Sequence, residues 1–484
     1  MNIAGLIFLI VTHFLSGRGF IELFKLKLRP VMMFSLSVIT GIVLFAFIPF
    51  ILQLCHVPIT WTSLMIFICA LTIALCMPLL MNIKSMRFNI KIPALYEYPY
   101  LIIFALFIII SCWRCFYFPP TPRDMLSGPE LMAEYTVKEH SMINSMFSLD
   151  LHLTNNYLKP PSITSLQIIY KIFVHPFGQI WLSVFFISCV IFLYDFLKEK
   201  LHPVIGGFLL LFFITIPESF AYTFMILYDF NNMIFFFLGF YFFTRYVVSK
   251  QLNDFLFAGF MWGIATYFRL ETPVLLVLAL PMVIYFLYKE KLPWIKIGLR
   301  IIMLMAFPAL VYILCINIFD KHYIPLSFNV GTQINSNLGD ISPYFTRLSE
   351  MNSRLLFDSS EMNMSVTLYG YFIYFFIFIL IVDTIFFRKR FTKESAIALY
   401  GIATVYFGLP LLGYLLPWVD LMNTTKRGLF KLFPLMLLYY RSSGSLTLLT
   451  NIINNWEFSK PKDEVDKRMP QVATTQSKGN AKKK

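Results

Sequence analysis

Residues 101–118 read LIIFALFIIISCWRCFYF, and Arg114 is the only charged side chain in that stretch. A helix rises about 1.5 Å per residue, so the apolar run 99–117 around it can cross roughly 30 Å of hydrocarbon. No water is available at that depth to satisfy backbone N–H and C=O groups, so the run has to be helical. Immediately afterwards the chain turns polar from Pro119 to Pro161, opening with Thr121-Pro122-Arg123-Asp124 and closing with Tyr157-Leu158-Lys159-Pro160-Pro161. An apolar helix that empties into a long polar loop is the unit from which the rest of the chain is read.

Similar apolar runs lie near 1–16, 31–55, 60–82, 177–197, 204–228, 232–248, 254–270, 272–288, 297–319, 366–387, 395–418 and 427–441. With 58% hydrophobic residues, 14% charged residues and 54 Phe in 484 positions, the chain has more apolar surface than one soluble core can absorb. The expected fold is therefore all-α, a polytopic transmembrane bundle of about 13 helices whose large first external loop carries short amphipathic helices. The first run has no basic residue before it and Arg18, Lys25, Lys27 and Arg29 after it, the pattern of a retained anchor rather than a cleaved signal. The seven Cys lie in or beside apolar segments, so no extracellular disulfide framework is legible.

Alternate loops must fall on opposite sides of the membrane. The segments 17–30, 84–92, 289–300, 388–393 and the tail from Arg441 hold most of the 40 Lys and Arg. The positive-inside rule makes that side cytoplasmic and the Asp124 loop external. The same bias, together with a tail ending Lys482-Lys483-Lys484, accounts for the net charge of +14 without nucleic acid. The tail is polar, expected to be disordered at its end, and suited to anionic headgroups.

Three regions follow. Residues 1–98 hold helices with no evident role beyond anchoring, 99–441 form the core with external loops 118–176 and 320–365, and 442–484 make up the cytoplasmic tail. Chemistry must then sit at the membrane surface or within the bundle. Charged residues within apolar runs cost roughly 2.5–3.5 kcal/mol each on insertion scales. Arg114, Glu218, Asp229, Arg269, Glu271, Lys426, Arg427 and Lys431 all fall toward the external ends of their helices. Basic residues can snorkel to headgroups, but eight such charges on one side are better explained by a polar cavity open to the outside.

Several ordered elements resemble the C-type integral membrane glycosyltransferases, which include protein O-mannosyltransferases and transferases that place aminoarabinose on lipid A. Asp124 follows a helix in the first large external loop. Lys159-Pro160-Pro161 precedes Ser162-Ile163-Thr164-Ser165-Leu166 and Phe177-Gly178. Asp229-Phe230-Asn231-Asn232 opens a helix, and Ala258-Gly259-Phe260-Met261-Trp262-Gly263 runs into Arg269-Leu270-Glu271-Thr272-Pro273. Lys426-Arg427-Gly428 leads to Pro434. Many relatives carry adjacent Asp-Glu; here Met125 follows Asp124, and Glu130 and Glu134 come later, so the second carboxylate is unassigned.

The resemblance implies a donor sugar on a polyprenyl or dolichyl phosphate and an acceptor that is protein, lipid or glycan. It makes Asp124 the candidate base, with a carboxylate pKa raised from about 3.9 by partial desolvation. Lys159 and Arg427 become candidates for the lipid phosphate, with Arg269 and Lys426 adding positive charge. Asp229 is left to hold sugar hydroxyls, orient a basic residue or bind a metal. Simpler roles stay open at this point. Asp124 can pair with Arg123, Asp229 can cap its helix, Lys159 can be a turn residue, and Glu271 can merely neutralise Arg269.

Other patterns are weaker. Cys112-Trp113-Arg114-Cys115 has redox spacing without the βαβ context that chemistry requires. His140, His152 and His175 share the acidic loop without zinc-ligand spacing, which leaves a divalent metal as the one cofactor to consider. Asn363-Met364-Ser365 and Asn423-Thr424-Thr425 are glycosylation triplets, relevant in a eukaryotic source. A polysaccharide polymerase or ligase, or a lipid-linked sugar flippase, is the rival function; the first would centre on the loop 320–365, the second on midplane charges within inverted repeats. The expected location is a bacterial plasma membrane, with the endoplasmic reticulum as the alternative.

Overall fold

The computed structural model describes residues 2–81, 92–117, 126–146, 159–175, 178–320, 338–360, 362–417 and 419–458. All regular secondary structure among them is helical. Helices α1 (Ile3–Leu23), α2 (Pro30–Leu54) and α3 (Trp61–Met81) precede α4 (Tyr98–Tyr117). Two short helices, α5 (Leu131–Glu139) and α6 (Ser162–Val174), occupy the polar segment before α7 (Ile180–Lys198). Then come α8 (Pro203–Ile214), α9 (Pro217–Ala221), α10 (Asp229–Ser249), α11 (Leu252–Phe268), α12 (Thr272–Lys289) and α13 (Trp294–Ile313). The chain closes with α14 (Ser342–Met351), α15 (Met364–Tyr369), α16 (Phe372–Phe386), α17 (Lys393–Leu415), α18 (Leu432–Arg441) and α19 (Gly444–Phe458).

Among the described residues, eight helices are long and apolar enough to cross a membrane, and four further apolar helices are shorter. Every apolar run of the sequence falls on helix, but three are divided, 366–387 among them, which breaks at Gly370, a glycine with φ +60°, between α15 and α16. The run 204–228 breaks at Thr215, because Pro217 has no N–H to continue the ladder and starts a new helix at its first turn. The last run, 427–441, begins with a tight turn over Leu429–Lys431 before α18. The stretch 444–458, read as tail, is the helix α19. Its start is fixed by Asp383, whose carboxylate accepts from the Ser445 N–H at 2.8 Å and from the Tyr439 hydroxyl at 2.8 Å.

Helix α10 is the axis of the bundle, with nearly all its residues buried. Its face toward α11 is set by Gly239, which leaves room for the Trp262 indole. On the other side of α11, Gly259 lets α13 approach until the Leu304 carbonyl oxygen lies 2.7 Å from where a Cβ would stand. This is the use small residues have in membrane bundles, where close backbone approach replaces the hydrophobic drive. Helix α4 lies at the periphery and exposes Ile102, Leu106, Ile109 and Trp113 along one face, a stripe suited to acyl chains.

Helices α1 and α2 do more than anchor. His13 Nε2 lies 3.0 Å from the Tyr170 hydroxyl on α6, and the Tyr267 hydroxyl on α11 donates to the Ala46 carbonyl at 3.0 Å. Phe47 stacks on Tyr267 with centroids 4.1 Å apart. The N-terminal pair thus backs the two helices whose ends lead to the charged residues described next.

Candidate functional site

Five parts of the chain bring charge to one end of the bundle: the α8–α10 connection, the start of α10, the α11–α12 junction, the turns before α18, and the residues before α6. Asp229 opens α10, where a carboxylate suits the positive end of the helix dipole. Arg269 ends α11 in an extended conformation, and Thr272-Pro273 starts α12 three residues later. Asn232 pins this junction: its Nδ2 donates to the Ala265 carbonyl at 2.6 Å and to the Thr272 Oγ1 at 2.9 Å. One amide therefore satisfies a carbonyl of the last turn of α11 while touching the first residue of α12.

The ion pairs form a chain. Arg269 Nη2 lies 3.0 Å from Asp229 Oδ1, and its Nε lies 3.4 Å from Glu271 Oε1. Lys431 Nζ reaches the same Glu271 oxygen at 3.2 Å. Lys426 Nζ lies 2.9 Å from Glu218 Oε1. The Asp229 and Lys431 side chains are each 2% exposed, so most of this charge is out of bulk water and depends on its partners.

Two aromatic rings complete the geometry. The Arg427 guanidinium carbon lies 6.0 Å from the Tyr222 ring centroid, and Lys159 Nζ lies 5.7 Å from the Tyr228 ring centroid. Tyr222 stands in the field of Asp229, Arg427, Glu218 and Arg269 together, and its ring meets Phe430 edge-on at 5.0 Å. Arg114, on α4, lies 5.8 Å from the Phe224 ring between them. The Tyr369 hydroxyl donates to the Lys426 carbonyl at 3.1 Å and holds the basic turn in place.

Lys159, Asp229, Arg269, Lys426 and Arg427 thus share one end of the bundle, while Asp124 lies outside the described residues. Glu130 and Glu134 are committed elsewhere: Lys171 Nζ on α6 lies 2.6 Å from Glu130 and 2.9 Å from Glu134. Glu271 touches Lys431 as well as Arg269, so it joins two cations rather than neutralising one. Tyr222, Tyr228 and Asn232 were not singled out from sequence, although Asn232 stands in the motif beginning at Asp229. The opposite ends of the same helices carry a separate set of pairs, Arg245–Asp254 at 3.1 Å, Arg441–Glu199 at 2.6 Å and Lys250–Glu290 at 2.6 Å.

Residues 160–315 match the family model described as dolichyl-phosphate-mannose-protein mannosyltransferase. The resemblance to the C-type enzymes holds over that stretch, about a third of the chain, and points to a multi-pass membrane glycosyltransferase of this type. No curated protein and no solved structure matches the chain. The matched stretch contains Glu218, Asp229, Arg269 and Glu271, and starts one residue after Lys159; Asp124, Lys426 and Arg427 lie beyond its ends.

The weaker sequence patterns resolve in simple ways. All seven Cys are free thiols, and Cys115 is buried, accepting from the Ser183 hydroxyl at 3.2 Å. His140 Nδ1 lies 3.3 Å from the Ile59 carbonyl, and His152 lies outside the described residues. Among the described residues, no three His, Cys, Asp or Glu gather where they could hold a metal ion. Asn363 caps α15, and Ser365 of the same triplet is buried, donating to the Leu356 carbonyl at 2.7 Å.

Proposed function

We propose that the protein moves a sugar from a polyprenyl- or dolichyl-phosphate donor to an acceptor at the external, periplasmic or lumenal, face of the membrane. The observation that carries this reading is the buried ion-pair chain of Asp229, Arg269, Glu271 and Lys431, with the more accessible Lys426–Glu218 pair beside it at the same end of the bundle. It sits at the ends of helices, where a donor with its tail in the bilayer presents its phosphate.

Asp124 takes the proton from the acceptor nucleophile as that atom attacks the anomeric carbon. The bond from that carbon to the phosphate oxygen breaks, and the electron pair leaves with the lipid phosphate. Lys159 and Arg427 stabilise the growing negative charge, Lys159 as a compact ammonium and Arg427 through its planar fork. Their seats over Tyr228 and Tyr222 support this role, since each cation rests against a ring at the same end of the bundle. Arg269 is partly used by Asp229 and Glu271, so it supplies field more than a free fork. Asp229 orients Arg269. The bacterial plasma membrane fits the reading best.

The polymerase or ligase reading draws less support. In the loop it would rely on, Arg347 spends its guanidinium on the Val419 and Pro417 carbonyls, at 2.9 and 3.1 Å. The deciding experiment is Asp124→Asn in vesicles supplied with a polyprenyl-phosphate sugar. Loss of transfer with retained donor binding is expected, and undiminished transfer would remove the assignment of the base.

A further inference from the structure

The charged end of the bundle makes no use of α19. This helix starts three residues after Arg441, the last residue of α18, and so lies at the end opposite Lys431. Three contacts along it fix its course. The Ser445 N–H donates to Asp383, in the last turn of α16, at 2.8 Å. Further along, the Thr450 Oγ1 accepts at 3.2 Å from the backbone N–H of His202, the residue just before α8. Near the end of α19, Glu457 Oε2 lies 3.4 Å from His202 Nε2. The His202 ring in turn packs against Tyr96, just before α4, with centroids 5.2 Å apart. A helix threading the bundle would meet successive turns of its neighbours. From 445 to 457, about 18 Å at 1.5 Å per residue, these contacts all fall at the ends of α16, α8 and α4. Helix α19 therefore runs across the helix ends rather than among the helices.

Its two sides differ. Leu446 and Thr450 are buried and Ile453 packs on the core, while Leu448, Leu449, Ile452 and Trp456 are between 36% and 64% exposed. Positions 448, 452 and 456 recur every four residues with 449 beside them, so the four form one apolar stripe roughly 100° wide. The exposed Asn451 and Asn455 border it. Trp456 and Tyr96 carry rings of the kind that settle at headgroup level. The start of α19 also sits against a basic turn: a Cβ on Gly444 would stand 2.7 Å from Phe387 Cβ and 3.3 Å from Arg390 Cβ. In and just after that turn, Arg388, Lys389, Arg390 and Lys393 are all exposed.

An apolar stripe beside exposed cations suits the surface of an anionic bilayer, where apolar groups enter the boundary between headgroups and acyl chains and cations meet phosphates. We propose that α19 lies in the plane of the membrane as a binding element for anionic lipid. Leu448, Leu449, Ile452 and Trp456 seat in the acyl boundary, and Arg388, Lys389 and Arg390 take the headgroup phosphates. The contacts to Asp383 and His202 fasten the helix to the bundle at the level where α16, α8 and α4 reach the surface. A second copy of the chain is the poorer occupant, because a two-fold contact here would turn the same basic turn toward its own image.

The test uses the full chain in lipid nanodiscs of phosphatidylcholine with and without phosphatidylglycerol. The difference in emission between the parent and Trp456→Phe isolates Trp456 from the other tryptophans. That signal should be quenched by acyl-brominated lipid and spared by iodide, and Ile452→Glu, a change at an exposed position, should reverse the order. Each cation near an anionic surface is worth roughly a five-fold preference, so combining Arg388→Gln, Lys389→Gln and Arg390→Gln should cut the enrichment of phosphatidylglycerol over phosphatidylcholine among copurifying lipids by about five-fold or more. Quenching of Trp456 by iodide and not by brominated lipid would place the stripe in water and overturn the proposal. So would an unchanged lipid enrichment in the triple variant, or a dimer in nanodiscs that Ile452→Glu dissociates, which would make a second copy the occupant.

Discussion

Arg269 and Asp229 face each other at 3.0 Å across the meeting point of two buried helices, and neither has bulk water to fall back on. Breaking such a pair by removing one partner costs about 3–5 kcal/mol, more than replacing both together. Asp229→Asn and Arg269→Gln should each lower the melting temperature of the detergent-solubilised protein. The double variant should lose clearly less than the sum, and additive losses would mean that the two side chains do not act as a pair.

Lys426 and Glu218 form a more accessible pair, with side chains 18% and 21% exposed. Lys426→Met should therefore cost little stability, within about 1 kcal/mol, but should raise the KM for the phosphate-linked donor. The Debye length shrinks from about 10 Å at 0.1 M salt to about 3 Å at 1 M, so the gap between variant and parent should narrow as salt is added. KM measured across that range checks this.

Asn232 serves the end of α11 and the start of α12 at once, with bonds of 2.6 and 2.9 Å. Asn232→Ala removes both, while the Ala265 carbonyl keeps the Arg269 N–H at 3.0 Å and the Thr272 hydroxyl at 3.2 Å, so the loss should be about 1 kcal/mol. Activity should fall further than stability alone accounts for, since Arg269 follows this turn. Asn232→Ala with full activity at a temperature where it is folded would separate the junction from the chemistry.

Acid should loosen α5 from α6. The Lys171 ammonium, hydrogen-bonded to Glu134, holds that carboxyl below the usual glutamate range, against the opposing effect of partial burial. A depressed pKa means that the contribution is fully present above the unfolded value of about 4.3 and is lost as pH falls through the lower folded value. Amide exchange over 131–139 should rise on acidification below that range. Glu134→Gln should exchange faster at neutral pH and respond less to acid.

Helices were legible wherever apolar runs were long, as in 31–55 and 99–117, because length against hydrocarbon thickness is a strong constraint. The break at Thr215 was less so, since Pro217 ends one helix and begins another within a continuous apolar run. Helix α19 fell within 442–484, read as tail, because its start is held by a bond from Ser445 to Asp383, 62 positions earlier. For the charged end, residue types and helix ends pointed to the right neighbourhood. The partners did not follow: nothing local to Glu271 announces Lys431, and nothing local to Glu130 announces Lys171. Pairing across 160 and 41 positions is a property of packing, which no window along the chain contains.

The interruption between α8 and α10 has a consequence for the membrane itself. From Thr215 to Tyr228 only the short α9 is helical, so backbone groups there lack the continuous ladder of their neighbours. Hydrocarbon does not tolerate such backbone; it persists only where protein or water supplies the missing bonds. Here protein supplies many of them, through turns such as Tyr222 N–H to the Glu218 carbonyl at 3.3 Å and Thr223 N–H to the Phe220 carbonyl at 3.0 Å. The break is thus a length of irregular backbone that the bundle has to enclose, which ties its integrity to the packing of the helices around it.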